Sequence, residues 1–215
     1  KVTATHLKNK FASAVIINSG NANCSTGKQG ISDVIATAKS VAVQLKIPSR
    51  SVLVASTGII GKRLPLNKIK KAIQPLVKGL SKNGGAAAAA AILTTDTRPK
   101  QLAVKIKVAV KTVTLGAMAK GAGMIYPNLA TMLAFITTDL AIDKPALKKL
   151  LKVAVANSFN CITVDGCTST NDLVLILANG LAQNKKLKGR DLKVFSRALN
   201  LVCLKIVQAI LPVAS

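Results

Sequence analysis

Val104-Lys-Ile-Lys-Val-Ala-Val-Lys-Thr-Val-Thr-Leu115 is the stretch that decides the fold. Val104, Ile106, Val108 and Val110 alternate with Lys105, Lys107 and Lys111, and the pattern runs on through Val113 and Leu115. Side chains that alternate in this way belong to a strand with one buried face. The run predicts a hairpin turning near Ala109 to Lys111, although no Gly, Asn or Asp stands there. A hairpin pairs its strands antiparallel, which excludes a purely parallel sheet.

Outward from the hairpin, strands interleave with helices. On the N-terminal side, Ala14-Val-Ile-Ile17 reads as a strand leading into an Asn-, Gly- and Ser-rich loop over 18–30. Ser32 and Asp33 are expected to cap a helix whose apolar positions Val34, Ile35, Ala38, Val41, Ala42 and Leu45 recur at helical spacing until Pro48. A strand over Ser51–Ala55 follows, then a helix from Asn67 to about Leu80 that carries Pro75. On the C-terminal side the pattern predicts a strand over Met132–Thr138 and a helix over Lys144–Asn157 with Pro145 in its first turn. A buried strand over Leu173–Ala178 and a final helix over about 190–210 complete the order. The expected class is therefore α/β with mixed sheets covered by helices, as one domain over 1–215.

Composition narrows the function. Half of the 215 residues are apolar, enough for a sizeable core. No apolar stretch is long enough to span a bilayer and the first residues lack the apolar core of a secretion signal, so a cytoplasmic protein with no membrane partner is expected. The four cysteines (24, 161, 167 and 203) form no CxxC pair and accompany one histidine, which argues against a metal site and for thiols used mainly as core filler. The net charge of +24 would ordinarily suggest a polyanion partner. All seven acids are aspartates, however, so part of the excess comes from missing glutamate. The five aromatic residues, Phe11, Tyr126, Phe135, Phe159 and Phe195, are too scattered for a base-stacking platform. Nucleic acid is thus the rival partner, not the expected one.

Common catalytic motifs fail on inspection. Gly27-Lys28 is followed by Gln29 and has Ala22 where a Walker loop needs glycine. Gly121-Ala-Gly123 has Tyr126 where a dinucleotide fingerprint needs its third glycine. No G-x-S-x-G elbow is present, and His6 is the lone histidine. A threonine can dispense with histidine if its own α-amine takes the hydroxyl proton, since that amine has a reference pKa of about 7.7–8.0. It must then be an N-terminus, made by internal cleavage.

Lys120-Gly-Ala-Gly-Met-Ile-Tyr-Pro-Asn-Leu-Ala-Thr131-Met-Leu133 with Phe135-Ile-Thr-Thr-Asp139 resembles the cleavage-site motif of the ornithine acetyltransferase family, also called bifunctional glutamate N-acetyltransferase. Four further segments resemble that family in order: Asn18-Ser-Gly-Asn-Ala-Asn23, Val54-Ala-Ser-Thr-Gly-Ile-Ile-Gly61, Ile92-Leu-Thr-Thr-Asp-Thr97 and Ser158-Phe-Asn-Cys-Ile-Thr-Val-Asp-Gly-Cys-Thr-Ser-Thr-Asn-Asp172. Together they cover about residues 14–180.

The resemblance implies a layered αββα architecture of the self-processing N-terminal-nucleophile type. It implies cleavage between Ala130 and Thr131, giving pieces 1–130 and 131–215, with Thr131 the nucleophile that carries the acetyl group. Thr57 and Gly58 match the oxyanion hole, while Thr94, Lys120 and Thr131 match substrate-binding positions. The implied reaction moves acetyl from N-acetylornithine to glutamate in arginine biosynthesis, without a cofactor, with acetyl-CoA as an alternative donor. The two cleavage pieces are expected to stay together, as a heterotetramer of two alpha and two beta chains.

The family also has an earlier N-terminal segment and a C-terminal Asp-Gly-Glu-Gly-Ala-Thr motif whose glutamate binds substrate. Neither is present here, so the chain is expected to be the central part of such an enzyme. An inactive fragment or redesign of it is the alternative from the same residues. Asn18, Asn21 and Asn23 are expected to order their loop through side-chain to backbone bonds.

Overall fold

The computed structural model describes residues 1–9, 11–121, 132–161 and 169–210, which form two compact units. The first comprises residues 1–94 with 169–171, the second 95–121, 132–161 and 172–210.

In the first unit a short helix α1 (Val2–His6) precedes strand β1 (Ala14–Asn21), helix α2 (Gly27–Leu45) and strand β2 (Val52–Ile59). β1 and β2 pair in parallel, with Ala14 opposite Val52 and Gly20 opposite Gly58, as a parallel pair joined by a crossover helix must. Ala38, Val41, Ala42, Val52 and Ile73 form the core of this unit. Helices α3 (Leu66–Lys78) and α4 (Gly85–Ala91) follow; Pro75 sits inside α3 as the sequence suggested.

Three boundaries differ from expectation. β1 and β2 run on through residues 18–21 and 56–59, mostly polar or glycine, because parallel ladder bonds stabilise a strand whatever its side chains. Helix α2 begins at Gly27, with Thr26 at its N-cap, and not at Ser32 or Asp33. Asp33 is instead buried two turns in, where its Oδ1 accepts the Gln29 amide at 2.9 Å and Oδ2 lies 3.8 Å from Arg63. α1 was not expected at all; the His6 ring, through Nδ1 at 2.7 Å from the Val52 carbonyl oxygen, ties it to β2.

The second unit is a four-stranded sheet in the order β3 (Lys100–Val108), β4 (Lys111–Lys120), β5 (Leu133–Thr138), β6 (Leu173–Ala178). The first two pairings are antiparallel and β5–β6 is parallel, so the sheet is mixed, as the hairpin required. Ala109 makes the turn in a left-handed conformation (φ 53°), and its N–H donates to the Asp191 carboxylate at 3.0 Å. That bond supplies the turn with a side-chain partner of the kind an Asn or Asp within it would otherwise have provided.

Helix α5 (Lys144–Ala156) starts where Asp143 accepts the Ala146 N–H at 2.8 Å. Helix α6 (Gly189–Ile210) buries Phe195, Ala198, Leu199, Val202, Cys203, Ile206, Val207 and Ile210, a stripe at helical spacing. The stripe packs on β3 and β4 and shares one core with Val113, Leu115, Ala117 and Ala119 of β4 and with Ala134 and Ile136 of β5. Among the described residues no helix is long and apolar enough to cross a membrane.

The cysteines divide. Cys203 is core filler, and burial pushes its thiol up to about 11. Cys24 is half-buried and Cys161 exposed, so the expectation holds for one of the three described thiols. Cys167 lies outside the described residues.

Candidate active site

In the first unit the end of β2 is built from backbone proximity. Thr57 is fully buried, opposite Ser19, and Gly58 faces Gly20 across the parallel pair. Gly58 has φ +122°, and a Cβ there would stand 2.3 Å from the Gly20 carbonyl carbon and 2.5 Å from its oxygen. Only glycine fits both the dihedral and the space. The strand ends are then fixed by amides. Asn18 Nδ2 donates to the Asn21 carbonyl at 2.8 Å, Asn21 to the Arg63 carbonyl at 3.2 Å and Asn23 to the Gly30 carbonyl at 3.0 Å, so the three make the expected side-chain to backbone bonds, two of them from within β1 and one from the loop after it.

Asn171 adds a brace that the sequence did not single out. Its Nδ2 donates to the carbonyls of Ala22 and of Ser56, the latter at 3.1 Å, gripping the residue before Thr57. Thr94 closes the main segment of this unit on irregular chain after α4, with its surface exposed.

In the second unit Lys120 is the last residue of β4 and only 1% exposed. Its strand neighbours Val113, Leu115, Ala117 and Ala119 face α6, so alternation places Lys120 on the opposite face, in line with Leu133 and Leu173. A lysine is almost never fully enclosed without anionic company. Burial pushes its ammonium below the ordinary lysine range; Lys100 works in the same direction, while Asp96 and Asp172 oppose it.

Asp96 anchors this end of the sheet. One oxygen, Oδ1, accepts the Gly121 N–H at 2.8 Å and the Lys100 ammonium at 2.5 Å, with the Asp96 side chain fully enclosed. Burial acts to raise its carboxyl, yet the Lys100 ammonium, the Gly121 N–H and the Lys120 charge outweigh that and hold it below the usual carboxylate range. Across the sheet, the Asp172 carboxylate accepts the Met132 N–H at 2.9 Å, and the Leu173 N–H donates to the Met132 carbonyl at 3.0 Å. Asp172 thus holds the residue that follows Thr131 in sequence.

Of the sequence-predicted residues, the structure brings Thr57 and Gly58 together at the end of β2, places Thr94 in the same unit and sets Lys120 in the other. Ala130 and Thr131 lie outside the described residues. Asp96, Asn171 and Asp172 went unassigned from sequence. Each sat inside a segment quoted for its resemblance, and that was the only signal they gave.

A parallel pair with a glycine-tight strand end, and a mixed sheet with a buried lysine at the end of β4, make this an α/β protein with mixed sheets, the class that the sequence suggested. A family model described as "ArgJ family" matches residues 1–212, and the chain belongs to that family. The arginine biosynthesis bifunctional protein ArgJ of Symbiobacterium thermophilum is 54% identical over 174 residues, covering 81% of this chain and 43% of that protein. Its counterpart in Staphylococcus aureus is 49% identical over 199 residues, covering 92% and 48%. The chain therefore spans less than half the length of these relatives.

Two solved structures are similar at 39% identity. The ArgJ protein of Bacillus halodurans superposes with a TM-score of 0.52, covering 60% of this chain and 68% of that one. An ornithine acetyltransferase of Mycobacterium tuberculosis complexed with ornithine superposes with a TM-score of 0.51, covering 60% and 69%.

Proposed function

We propose that the protein transfers an acetyl group from N-acetylornithine to glutamate through an acetyl-threonine at Thr131, after cleavage of the Ala130–Thr131 bond. The observation that carries this reading is Lys120, a lysine enclosed at the strand end that leads into the Gly121–Thr131 segment. An ammonium held in that position suits a substrate carboxylate, because the ion pair offsets the desolvation already incurred. Membership of the ArgJ family and the likeness to an ornithine acetyltransferase bound to ornithine support the substrate class.

In the first step the α-amine of Thr131 takes the hydroxyl proton as Oγ1 attacks the acetyl carbon. The oxygen that becomes negative is stabilised by the Thr57 hydroxyl and the Gly58 N–H. The C–N bond then breaks, and the proton returns to the departing amine of ornithine. In the second step the amine of glutamate attacks the acetyl-threonine by the same route, releasing N-acetylglutamate and the free hydroxyl. Thr94 and Lys120 hold the amino-acid portion of each substrate. No cofactor takes part in these steps; acetyl-CoA is an alternative donor, and the pieces 1–130 and 131–215 remain associated in a cytoplasmic assembly of two of each.

The test is an assay with N-acetylornithine and glutamate that follows N-acetylglutamate. The reading requires product in wild type and none in Thr131→Ala. Equal turnover in both proteins would overturn it. Product that appears only with acetyl-CoA would replace N-acetylornithine as donor.

A further inference from the structure

The Asp96 carboxylate has no part in the steps above, yet among the described residues of the second unit it is the acid most heavily engaged. Lys100 pairs with Ala119 in the β3–β4 register, so it lies on the helix-covered face, whereas Lys120 lies on the other. Two ammonium groups thus flank one end of the sheet from opposite faces. Asp96 meets Lys100 at 2.5 Å and, through the Gly121 N–H at 2.8 Å, grips the peptide immediately after Lys120. We propose that Asp96 is the positioning residue of the lysine site: it fixes the end of β4 through Gly121 and supplies the negative charge at the strand end where Lys120 receives a substrate carboxylate.

The physical need for such a residue is clear from the surroundings of Lys120. Burial disfavours its charged form, and the adjacent Lys100 disfavours it further. Asp96 and Asp172 are the carboxylates that act against them. Asp172 is exposed and spends one oxygen on the Met132 N–H, so its field is screened by water. Asp96 is enclosed, its carboxyl stays ionised, and its interaction is screened far less. A neutral amine at Lys120 would still donate a hydrogen bond, but it would forfeit the ion pair that selects an anion. Asp96 therefore acts through Lys120 and touches no substrate itself.

This inference rests on the reading of Lys120 as a carboxylate site, and the test separates the two. The protein is labelled with carbon-13 at the lysine ε position, and the Lys120 signal is identified by its absence from Lys120→Met. In Asp96→Asn the side-chain oxygen still accepts from Gly121, but the charge is gone. The titration of Lys120 then moves to lower pH than in wild type. In step with it, KM for N-acetylornithine rises about tenfold near neutral pH and rises further as pH increases, the scale of one lost charged hydrogen bond. Lys100→Gln removes the like charge and moves the Lys120 titration to higher pH, which keeps the proposal testable should Asp96→Asn fail to fold.

An unmoved Lys120 titration in Asp96→Asn, or a downward move in Lys100→Gln, overturns the proposal whatever KM does. A titration that moves as stated while KM stays put upholds Asp96 as the counter-charge and overturns Lys120 as the carboxylate site.

Discussion

Replacing Gly58 by alanine tests the architecture of the β2 end. The added methyl would stand 2.3 and 2.5 Å from the Gly20 carbonyl carbon and oxygen and 2.7 Å from the Asn21 nitrogen. All three are backbone atoms of the paired strand, so no side chain can swing aside and β1 must separate from β2. Such overpacking costs about 1–3 kcal/mol. The backbone adds a second cost, since φ +122° is strained for any residue with a Cβ, again about 1–3 kcal/mol.

Gly61 provides the control. It has φ +77° with nothing within 4 Å of an added methyl, so Gly61→Ala bears the backbone cost alone. With a urea dependence of about 1–3 kcal/mol per molar, Gly58→Ala should denature about 1 M earlier than Gly61→Ala. A displaced Gly58 N–H should also lower kcat by about 100- to 1000-fold, the cost of one lost oxyanion donor. Equal urea midpoints for the two variants would refute the close approach of Gly58 to Gly20. A normal kcat in a destabilised Gly58→Ala would refute its part in the oxyanion hole.

Asn171→Ala removes one amide that serves two carbonyls, Ala22 and Ser56. It should lower stability by about 1–3 kcal/mol in chemical denaturation and reduce kcat more than it raises KM, because it loosens the residue before Thr57; a change in KM alone would contradict the bracing role. Cys203 predicts an alkaline loss of stability. Its thiol is raised from 9.0 to about 11 in the folded state, so the folded chain holds the proton where the unfolded chain has released it. The contribution is present in full below about pH 9 and is lost as pH rises to about 11, on the order of 2–3 kcal/mol. Denaturation curves of wild type and Cys203→Ala should therefore converge over that window, and parallel pH dependences would contradict it. Phe195→Ala, at a fully buried position of α6, should cost about 3–5 kcal/mol by the same assay, and a loss under about 1 kcal/mol would show that the α6 stripe is not the core of its unit.

Much of the fold was legible because periodicity and core burial coincide. The alternation at 104–115 became β3 and β4, and the 3.6-residue spacing of apolar residues after 190 became α6. Where the two signals separate, the sequence misled. Asn18 to Asn21 look like loop but are strand, since a parallel ladder satisfies their backbone. Asp33 looks like a cap but is buried inside α2, held by Gln29 and near Arg63. Thr57 and Gly58 were singled out by resemblance alone, and the reason Gly58 must be glycine emerged only from its opposition to Gly20. Lysine is ordinarily a surface residue, so nothing in the composition singles out Lys120 among so many as one of the buried lysines. Its partner Asp96 is four residues from Lys100 in sequence, a spacing that means little in irregular chain, and it meets Gly121 only through the turn into β3.

The whole mechanism depends on Thr131 becoming an N-terminal nucleophile. Intact mass under denaturing conditions measures this directly, before and after incubation with N-acetylornithine. Wild type should give two pieces, residues 1–130 and 131–215, with one acetyl group gained on the second, and Thr131→Ala a single unacetylated chain. A wild-type chain that stays whole after long incubation, or an acetyl group that appears on the 1–130 piece, would contradict it.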